Sequence, residues 1–383
     1  MPNDKKIPQL YSGERQHENF CRMEDFYHTA PLKAASHIRP FPKGNDSVLP
    51  DTYRFEGETR KLSDLIQATD TSALLVLQDG EIRYEQYFLT GGPQVRWTSW
   101  SVAKSFISAL VGIAIDEGII RSEDDAISNY FEALKGSAYD GVSIKHVLQM
   151  SSGARWNEDY SDPTSDVNRL GLVMAGIQGL DEFVHAIQPE VPPGTVCRYN
   201  SADTQALGML LRGATGRNLT DYMQEKLIEP LGMESPGYWL TDKNGIELVL
   251  AGLNLTARDF AKIGELFRNN GQVDGKRIVS EQWVRKSVEA SEPHLVPGNV
   301  IVGGHKFGFG YGYQWWVPEG SEGEYSAIGV YNQFVYVHPG NRSVIVKLSA
   351  NPNYGLSEKE SDNKDEENMA MLRAISNNRY PAK

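Results

Sequence analysis

Trp97-Thr98-Ser99-Trp100-Ser101-Val102-Ala103-Lys104-Ser105-Phe106 is the stretch on which the reading of this chain turns. Ser101 and Lys104 stand three apart where an apolar run of helical period begins: Val102, Phe106, Ile107, Leu110, Val111, Ala114 and Ile115. Residues three apart share a helix face. A helix starting near Ser101 and closing at Gly118, a C′ glycine, therefore sets a hydroxyl beside an amine. Its positive end would lie close to a developing oxyanion. A serine hydroxyl is a poor nucleophile until a base takes its proton, and a lysine stripped of water beside it can be that base. The spacing alone carries little weight. A second copy, Ser361 to Lys364, falls in the charged run 357–368, which has no apolar face and reads as solvated surface.

The rest of the chain sets bounds on the chemistry. Of 383 residues, 40% are hydrophobic and 23% charged, as in ordinary soluble globular proteins with a sizeable core. With 38 basic and 50 acidic residues the net charge is −12, which argues against nucleic acid and anionic membrane as partners. No run of about 18 apolar residues occurs, so no membrane-spanning helix is expected. The start, Met1-Pro2-Asn3-Asp4-Lys5-Lys6-Ile7-Pro8-Gln9, lacks the apolar core of a signal peptide. Cys21 and Cys197 make neither a disulfide framework nor a metal-ligand cluster. A cytoplasmic location is the default expectation, unless an export sequence has been removed.

Residues 1–60, polar and broken by Pro31, Pro40, Pro42 and Pro50, read as an arm packed on the body. The body spans 61–352, and a polar segment with a C-terminal helix occupies 353–383. Within the body, 62–66 suggests a short helix, and 73–77 and 82–88 read as strands around the Asp79-Gly80 turn. Residues 119–290 read as a mostly helical lobe, with helices over 142–150, 204–213, 218–228 (stopped before Pro230), 256–269 and 280–290. Strands return at 310–317, 325–329, 333–338 and 343–349. Strands from both ends of the chain with helices between them predict an α+β fold: a mainly antiparallel sheet flanked by helices, plus an inserted helical lobe.

Several chemistries drop out. There is no Gly-x-Ser-x-Gly elbow, no phosphate-binding Gly-x-x-x-x-Gly-Lys-Ser/Thr loop and no His-Glu-x-x-His. The eight histidines are scattered without metal-like spacing, so neither metal nor cofactor is expected. A Ser-His-Asp triad assembled across the fold stays open, because triads are defined by geometry. The second informative stretch is Pro192-Pro193-Gly194-Thr195-Val196-Cys197-Arg198-Tyr199-Asn200-Ser201-Ala202-Asp203. It places Tyr199 on a loop before a helix. A nearby lysine ammonium would favour the phenolate and lower the phenol's pKa, so Ser101, Lys104 and Tyr199 could share one proton network. Taken by itself, Tyr199 reads first as an amphipathic tyrosine packing a lobe boundary.

Ser101-Val-Ala-Lys104 behind its Trp-Thr-Ser-Trp lead, and Tyr199-Asn200-Ser201 behind Pro-Pro-Gly-Thr, resemble the serine β-lactamase and penicillin-binding-protein superfamily. The class C-like branch of esterases, amidases and 6-aminohexanoate-dimer hydrolases is the nearer match, over roughly 60–352. Val142-Ser-Ile-Lys-His-Val-Leu-Gln-Met-Ser-Ser-Gly153, Ser201-Ala-Asp-Thr-Gln-Ala-Leu-Gly208 and Pro230-Leu-Gly-Met-Glu234 add to the likeness. The resemblance implies a β-lactamase/transpeptidase-like fold, Ser101 as nucleophile, Lys104 as base, and Tyr199 as proton shuttle to the leaving group. It also implies a strand, Tyr325-Ser-Ala-Ile-Gly329-Val330-Tyr-Asn-Gln333, whose Val330 N–H completes an oxyanion hole with the N–H of Ser101.

Two departures from that pattern matter. Tyr-x-Asn is here Tyr199-Asn200-Ser201, which puts a hydroxyl where a substrate amide is often contacted. Lys-Thr-Gly is replaced by Ile328-Gly329-Val330, which removes a lysine that would hold a substrate carboxylate. Tyr160, in Trp156-Asn-Glu-Asp-Tyr160, resembles a tyrosine set over the scissile amide in some relatives, and reads equally as packing. Trp315 and Trp316 alternate on a strand, so one at most faces a cleft; Trp316 and Gly329 complete the expected substrate contacts. The expectation is a serine hydrolase acting on small esters or amides, with a homodimer left open. Its rivals are a D-Ala-D-Ala carboxypeptidase or β-lactamase, and a catalytically silent binding protein of the same fold.

Overall fold

The computed structural model describes residues 15–320 and 322–378. Residues 1–14 of the expected arm and 379–383 of the expected C-terminal segment lie outside them. The decisive stretch passes from strand to helix within a few residues. Trp97–Thr98 is a strand, Trp100–Val102 a single 3-10 turn, and Ala103–Asp116 the helix. Residues 103 to 114 of that helix are all buried. An apolar run that wraps most of a helix buries it on all sides, and this one is the central post of the molecule.

Among the described residues the main sheet has seven strands. In spatial order they are Gly310–Tyr311, Trp316–Val317, Tyr325–Gly329, Gln333–His338, Ser343–Ser349, Thr71–Gln78 and Glu81–Tyr87. Every neighbouring pair is antiparallel. The two ends of the chain meet where Ser343–Ser349 pairs Thr71–Gln78, with Val344 opposite Leu77 and Val346 opposite Leu75. Successive strand side chains point to opposite faces. Ala73, Leu75 and Leu77 accordingly join one core with Phe106, Phe260 and Ile263. Leu74 and Val76 join another with Tyr336, Ile345, Met371 and Ile375. Both faces are covered, which is why Thr71–Gln78 is apolar over its central residues rather than alternating. The predicted α+β architecture holds.

The region 119–290 is less uniformly helical than its pattern suggests. The helices expected from 218, 256 and 280 start on Asn218, Thr256 and Ser280, whereas those expected over 142–150 and 204–213 start on Ser143 and Asn200; each of these side chains accepts a backbone N–H. But Gly237–Leu240 and Leu253–Leu255 are strands, and they build a second sheet with Thr29–Leu32 and Trp97–Thr98. The arm therefore contributes a strand. Pro230 does not stop its helix either. The chain passes through a π-helical turn, Gln224–Ile228, into Glu229–Leu231, and Gly232 ends it at φ +62°. The expected strand 310–317 is two strands, broken at Gln314, whose φ is +63°.

The largest correction concerns 357–368. It is a solvated surface only in part: none of 357–364, the second Ser-x-x-Lys copy included, is buried, whereas Asp365, Glu367 and Asn368 are. Polar side chains can be buried when they satisfy one another. Here Asp365 accepts from Tyr354 (2.8 Å) and Asn332 (3.0 Å), and Asn351 donates to Asn332 (3.0 Å). Among the described residues no helix is long and apolar enough to cross a membrane.

Candidate active site

The turn before Ser101 is bent in an unusual way. Trp100 has φ +45°, a left-handed conformation costly for a bulky residue. Its ring is held between Phe20 (5.4 Å between centroids) and Tyr331 (5.2 Å), so packing fixes the bend. The chain thereby delivers Ser101 to the floor of a cleft, at the first turn of the buried helix. Lys104, 1% exposed, follows one turn on. Its Nζ donates to Ser101 Oγ (2.9 Å), Ser201 Oγ (3.2 Å) and the Leu250 carbonyl (2.7 Å). Burial pulls the lysine down to about 8, while the charge of Glu158 pulls the other way. A free amine is thus accessible near neutral pH.

Tyr199 immediately precedes Asn200, the N-cap of the helix Ser201–Thr215. Its ring packs against Trp316 (5.0 Å) and Tyr311 (5.9 Å), and Lys104 Nζ lies 5.3 Å from its centroid. The Ser101 side chain is near enough to Tyr199 to favour its phenolate. The structure brings the three predicted residues together. It reverses the expected effect on the phenol, however. Burial first, and then Glu158, hold Tyr199 well above the ordinary tyrosine range, with the Ser101 side chain opposing them. Desolvation of a phenolate outweighs the pull of the lysine. Tyr199 is a neutral phenol at rest.

Gly329 ends the strand Tyr325–Gly329 against the Ser101 turn. A Cβ there would stand 2.6 Å from the Ser99 carbonyl oxygen and 3.0 Å from the Ser101 nitrogen. Only glycine permits that approach. The hairpin beyond it turns through Tyr331 and Asn332, at φ +63° and +67°, and Val330 sits at its near edge on the cleft wall. Among the described residues neither the Ser101 nor the Val330 N–H has a protein acceptor. Both are free to meet an oxyanion.

The cleft encloses about 280 Å³. One wall is apolar, with Phe307, Trp316 and Ile328; Tyr160 and Tyr354 pack edge to face across the other (6.3 Å). Asp365 and Glu360 also face it, raised mainly by burial to about 7 and about 8. Of the two tryptophans, Trp316 lines the cleft while Trp315 is buried in the core.

A family model described as beta-lactamase matches residues 60–367. The chain belongs to the beta-lactamase family. It is 30% identical to a 6-aminohexanoate-dimer hydrolase of Paenarthrobacter ureafaciens over 309 residues, 78% of each chain. In structure it is similar to a putative 6-aminohexanoate-dimer hydrolase from Bacillus anthracis, with TM-score 0.84, 24% identity and 100% of both chains covered. It also resembles a family VIII carboxylesterase, at TM-score 0.61 and 15% identity over 82% of this chain and 97% of the other. These last two likenesses bear on fold alone. The protein is a hydrolase of the serine type.

Ser201 does not line the cleft: it is 2% exposed, and its hydroxyl is occupied by Lys104 and by Glu158 Oε1 at 2.5 Å. A helix N-terminal residue next to a buried lysine and carboxylate points inward, not to substrate. Glu158 was not singled out from sequence. It is buried at 1% exposure and touches Ser201, Tyr160 and Trp156. Nothing in residue order distinguishes it from its neighbour Asp159. No histidine hydrogen-bonds Ser101 among the described residues, which disfavours the Ser-His-Asp arrangement. One group there could hold a metal ion, Glu322 with Glu324 and His338; it is off the cleft, and Arg373 already pairs with Glu324.

Proposed function

We propose that this beta-lactamase-family chain hydrolyses small esters or linear amides through an acyl-enzyme on Ser101. The observation that carries the reading is a buried lysine, at about 8, with its Nζ 2.9 Å from Ser101 Oγ. Lys104 as free amine takes the hydroxyl proton while Ser101 Oγ bonds to the carbonyl carbon. The N–H groups of Ser101 and Val330 receive the negative oxygen of the tetrahedral intermediate. Tyr199 gives its phenolic proton to the leaving oxygen or nitrogen as that bond breaks, and the Lys104 ammonium returns a proton to Tyr199. Water then attacks the acyl carbonyl by the reverse proton path and releases the acid.

Small esters and amides fit, because Ile328-Gly329-Val330 lacks the lysine that would hold a substrate carboxylate at that strand. The name of the 30% identical relative, a 6-aminohexanoate-dimer hydrolase, supports the same class. Tyr160 and Trp316 would flank the scissile group from opposite walls. We take 61–352 as the hydrolase body, with 1–60 as an arm and 353–383 as a polar segment and C-terminal helix, of which residues between 354 and 366 line the cleft. The two free cysteines fit a reducing cytoplasm. Ser101→Ala should abolish hydrolysis of a p-nitrophenyl ester and the acyl adduct seen by mass spectrometry, with thermal melting nearly unchanged. Retained turnover would refute the assignment.

A further inference from the structure

We propose that Glu158 is a positioning residue that, through the Ser201 hydroxyl, aims the Lys104 lone pair at Ser101. Every hydrogen-bond partner of Glu158 is a donor. Oε2 accepts the Ser201 N–H (3.0 Å) and the Trp156 indole N–H; Oε1 accepts the hydroxyls of Ser201 (2.5 Å) and Tyr160 (2.7 Å). Carboxylate oxygens only accept, so toward a Glu158 carboxylate both hydroxyls donate. The single proton of the Ser201 hydroxyl is therefore committed to Glu158, and toward Lys104 its oxygen can only accept. The Leu250 carbonyl, on another side of the same nitrogen, also can only accept.

A neutral amine has two N–H bonds and one lone pair, and it turns freely about its last bond. Ser201 Oγ at 3.2 Å and Leu250 O at 2.7 Å claim the two N–H bonds. The remaining direction faces Ser101 Oγ at 2.9 Å, and there the lone pair must lie. The carboxylate thus acts two bonds away from the reacting atom. With an amide in its place, the polarity can reverse. The amide oxygen serves the Ser201 and Trp156 N–H groups, its NH₂ donates to the Ser201 hydroxyl, and that hydroxyl turns to donate to Lys104. The lone pair is then drawn off the nucleophile.

This inference rests on Lys104 being the base for Ser101, and the experiment separates the two. Ser101→Ala and Lys104→Ala are assayed first with a p-nitrophenyl ester; turnover in either would sink the underlying mechanism, not merely this step. Given those are inactive, Glu158→Gln should lower kcat about 100-fold, within the range for loss of a general base, with KM nearly unchanged. The same substitution made in Ser201→Ala should cost less than about threefold, because the connecting hydroxyl is gone. An equal loss in both backgrounds, or no loss with an unchanged melt, would overturn the proposal. Should Glu158→Gln fail to fold, the Ser201 variants decide. Ser201→Thr should keep most of kcat and Ser201→Ala should lose about tenfold at constant KM; a fully active Ser201→Ala would overturn it.

Discussion

Gly329→Ala tests the oxyanion hole without touching any of the three reacting side chains. The added methyl carbon would lie 2.6 Å from the Ser99 carbonyl oxygen, 3.0 Å from the Ser101 nitrogen and 3.1 Å from Trp100 Cβ. All of these are backbone atoms or the stiff root of a side chain, so nothing can swing aside. Relief needs the strand and the Ser101 turn to part by about 0.5 Å or more. The strand is tied to its neighbour from Tyr325↔Val337 to Gly329↔Gln333, and the turn is held by Trp100 between Phe20 and Tyr331. Whichever yields, the Ser101 and Val330 N–H groups no longer converge on one point. Lengthening a hydrogen bond by about 0.5 Å takes it to the edge of the useful range. Loss of one such donor costs about 100- to 1000-fold in kcat, roughly 2.7–4 kcal/mol of transition-state stabilisation. Overpacking should also cost about 1–3 kcal/mol of stability. The assay is steady-state hydrolysis of a p-nitrophenyl ester well below the variant's melting temperature, with kcat and KM resolved. A kcat within threefold of the parent, or a loss confined to KM, would refute the reasoning.

Two further outcomes follow from buried titrating groups. On the proposed mechanism Lys104 works as a free amine; lowered to about 8, mainly by burial, it should make kcat/KM climb with pH and level off above about 8. Two units lower it should stand near one-hundredth of the plateau; a rate flat from pH 6 to 9 would contradict the lysine base. Asp203 bears on stability instead. Burial raises it from 3.8 to about 8, against hydrogen bonds from Ser152 and Tyr139. A carboxyl raised on folding favours the folded state fully below its unfolded pKa of 3.8, and that contribution is lost as pH climbs toward 8. Asp203→Asn stays neutral throughout, and its amide can occupy the site of the partnerless Oδ2 while Oδ1 keeps its donors. Thermal melts from pH 4 to 8 should show a shallower decline in the variant, the difference amounting to about 1.4 kcal/mol per pH unit at most. Identical slopes would rule Asp203 out as the cause.

The parts of this molecule that were legible in its sequence are those where the pattern is local. The helix behind Ser101 has an uninterrupted apolar run, the strands at 325–329, 333–338 and 343–349 have β-branched and aromatic residues between turns, and the caps on Thr256 and Ser280 precede their helices directly. The motif residues Ser101, Lys104 and Tyr199 were found the same way, each within a short quotable phrase. Gly237–Leu240 and Leu253–Leu255 were missed because a strand of three or four residues among helices has no period to detect. Their stability comes from pairing with Thr29–Leu32 and Trp97–Thr98, far away in the chain.

The misreadings at the site share one cause. Composition treats a charged or amide side chain as an outside residue, yet around this cleft such groups are inside and partnered by residues that composition cannot connect to them. Asp365 is held by Asn332 and Tyr354, and Glu158 by the start of a helix 43 residues on. The phenol of Tyr199 went wrong for the same reason: its nearness to Lys104 was inferred, but the dry surroundings and the carboxylate behind it were not. In water a cation beside a phenol lowers its pKa; in a closed site the cost of making any new charge comes first. The desolvation that keeps Tyr199 neutral is the same desolvation that frees the Lys104 amine. One dry pocket thus moves the lysine down and the tyrosine up, the division of labour the proposed mechanism needs near neutral pH: an amine able to take a proton beside a phenol that still holds one.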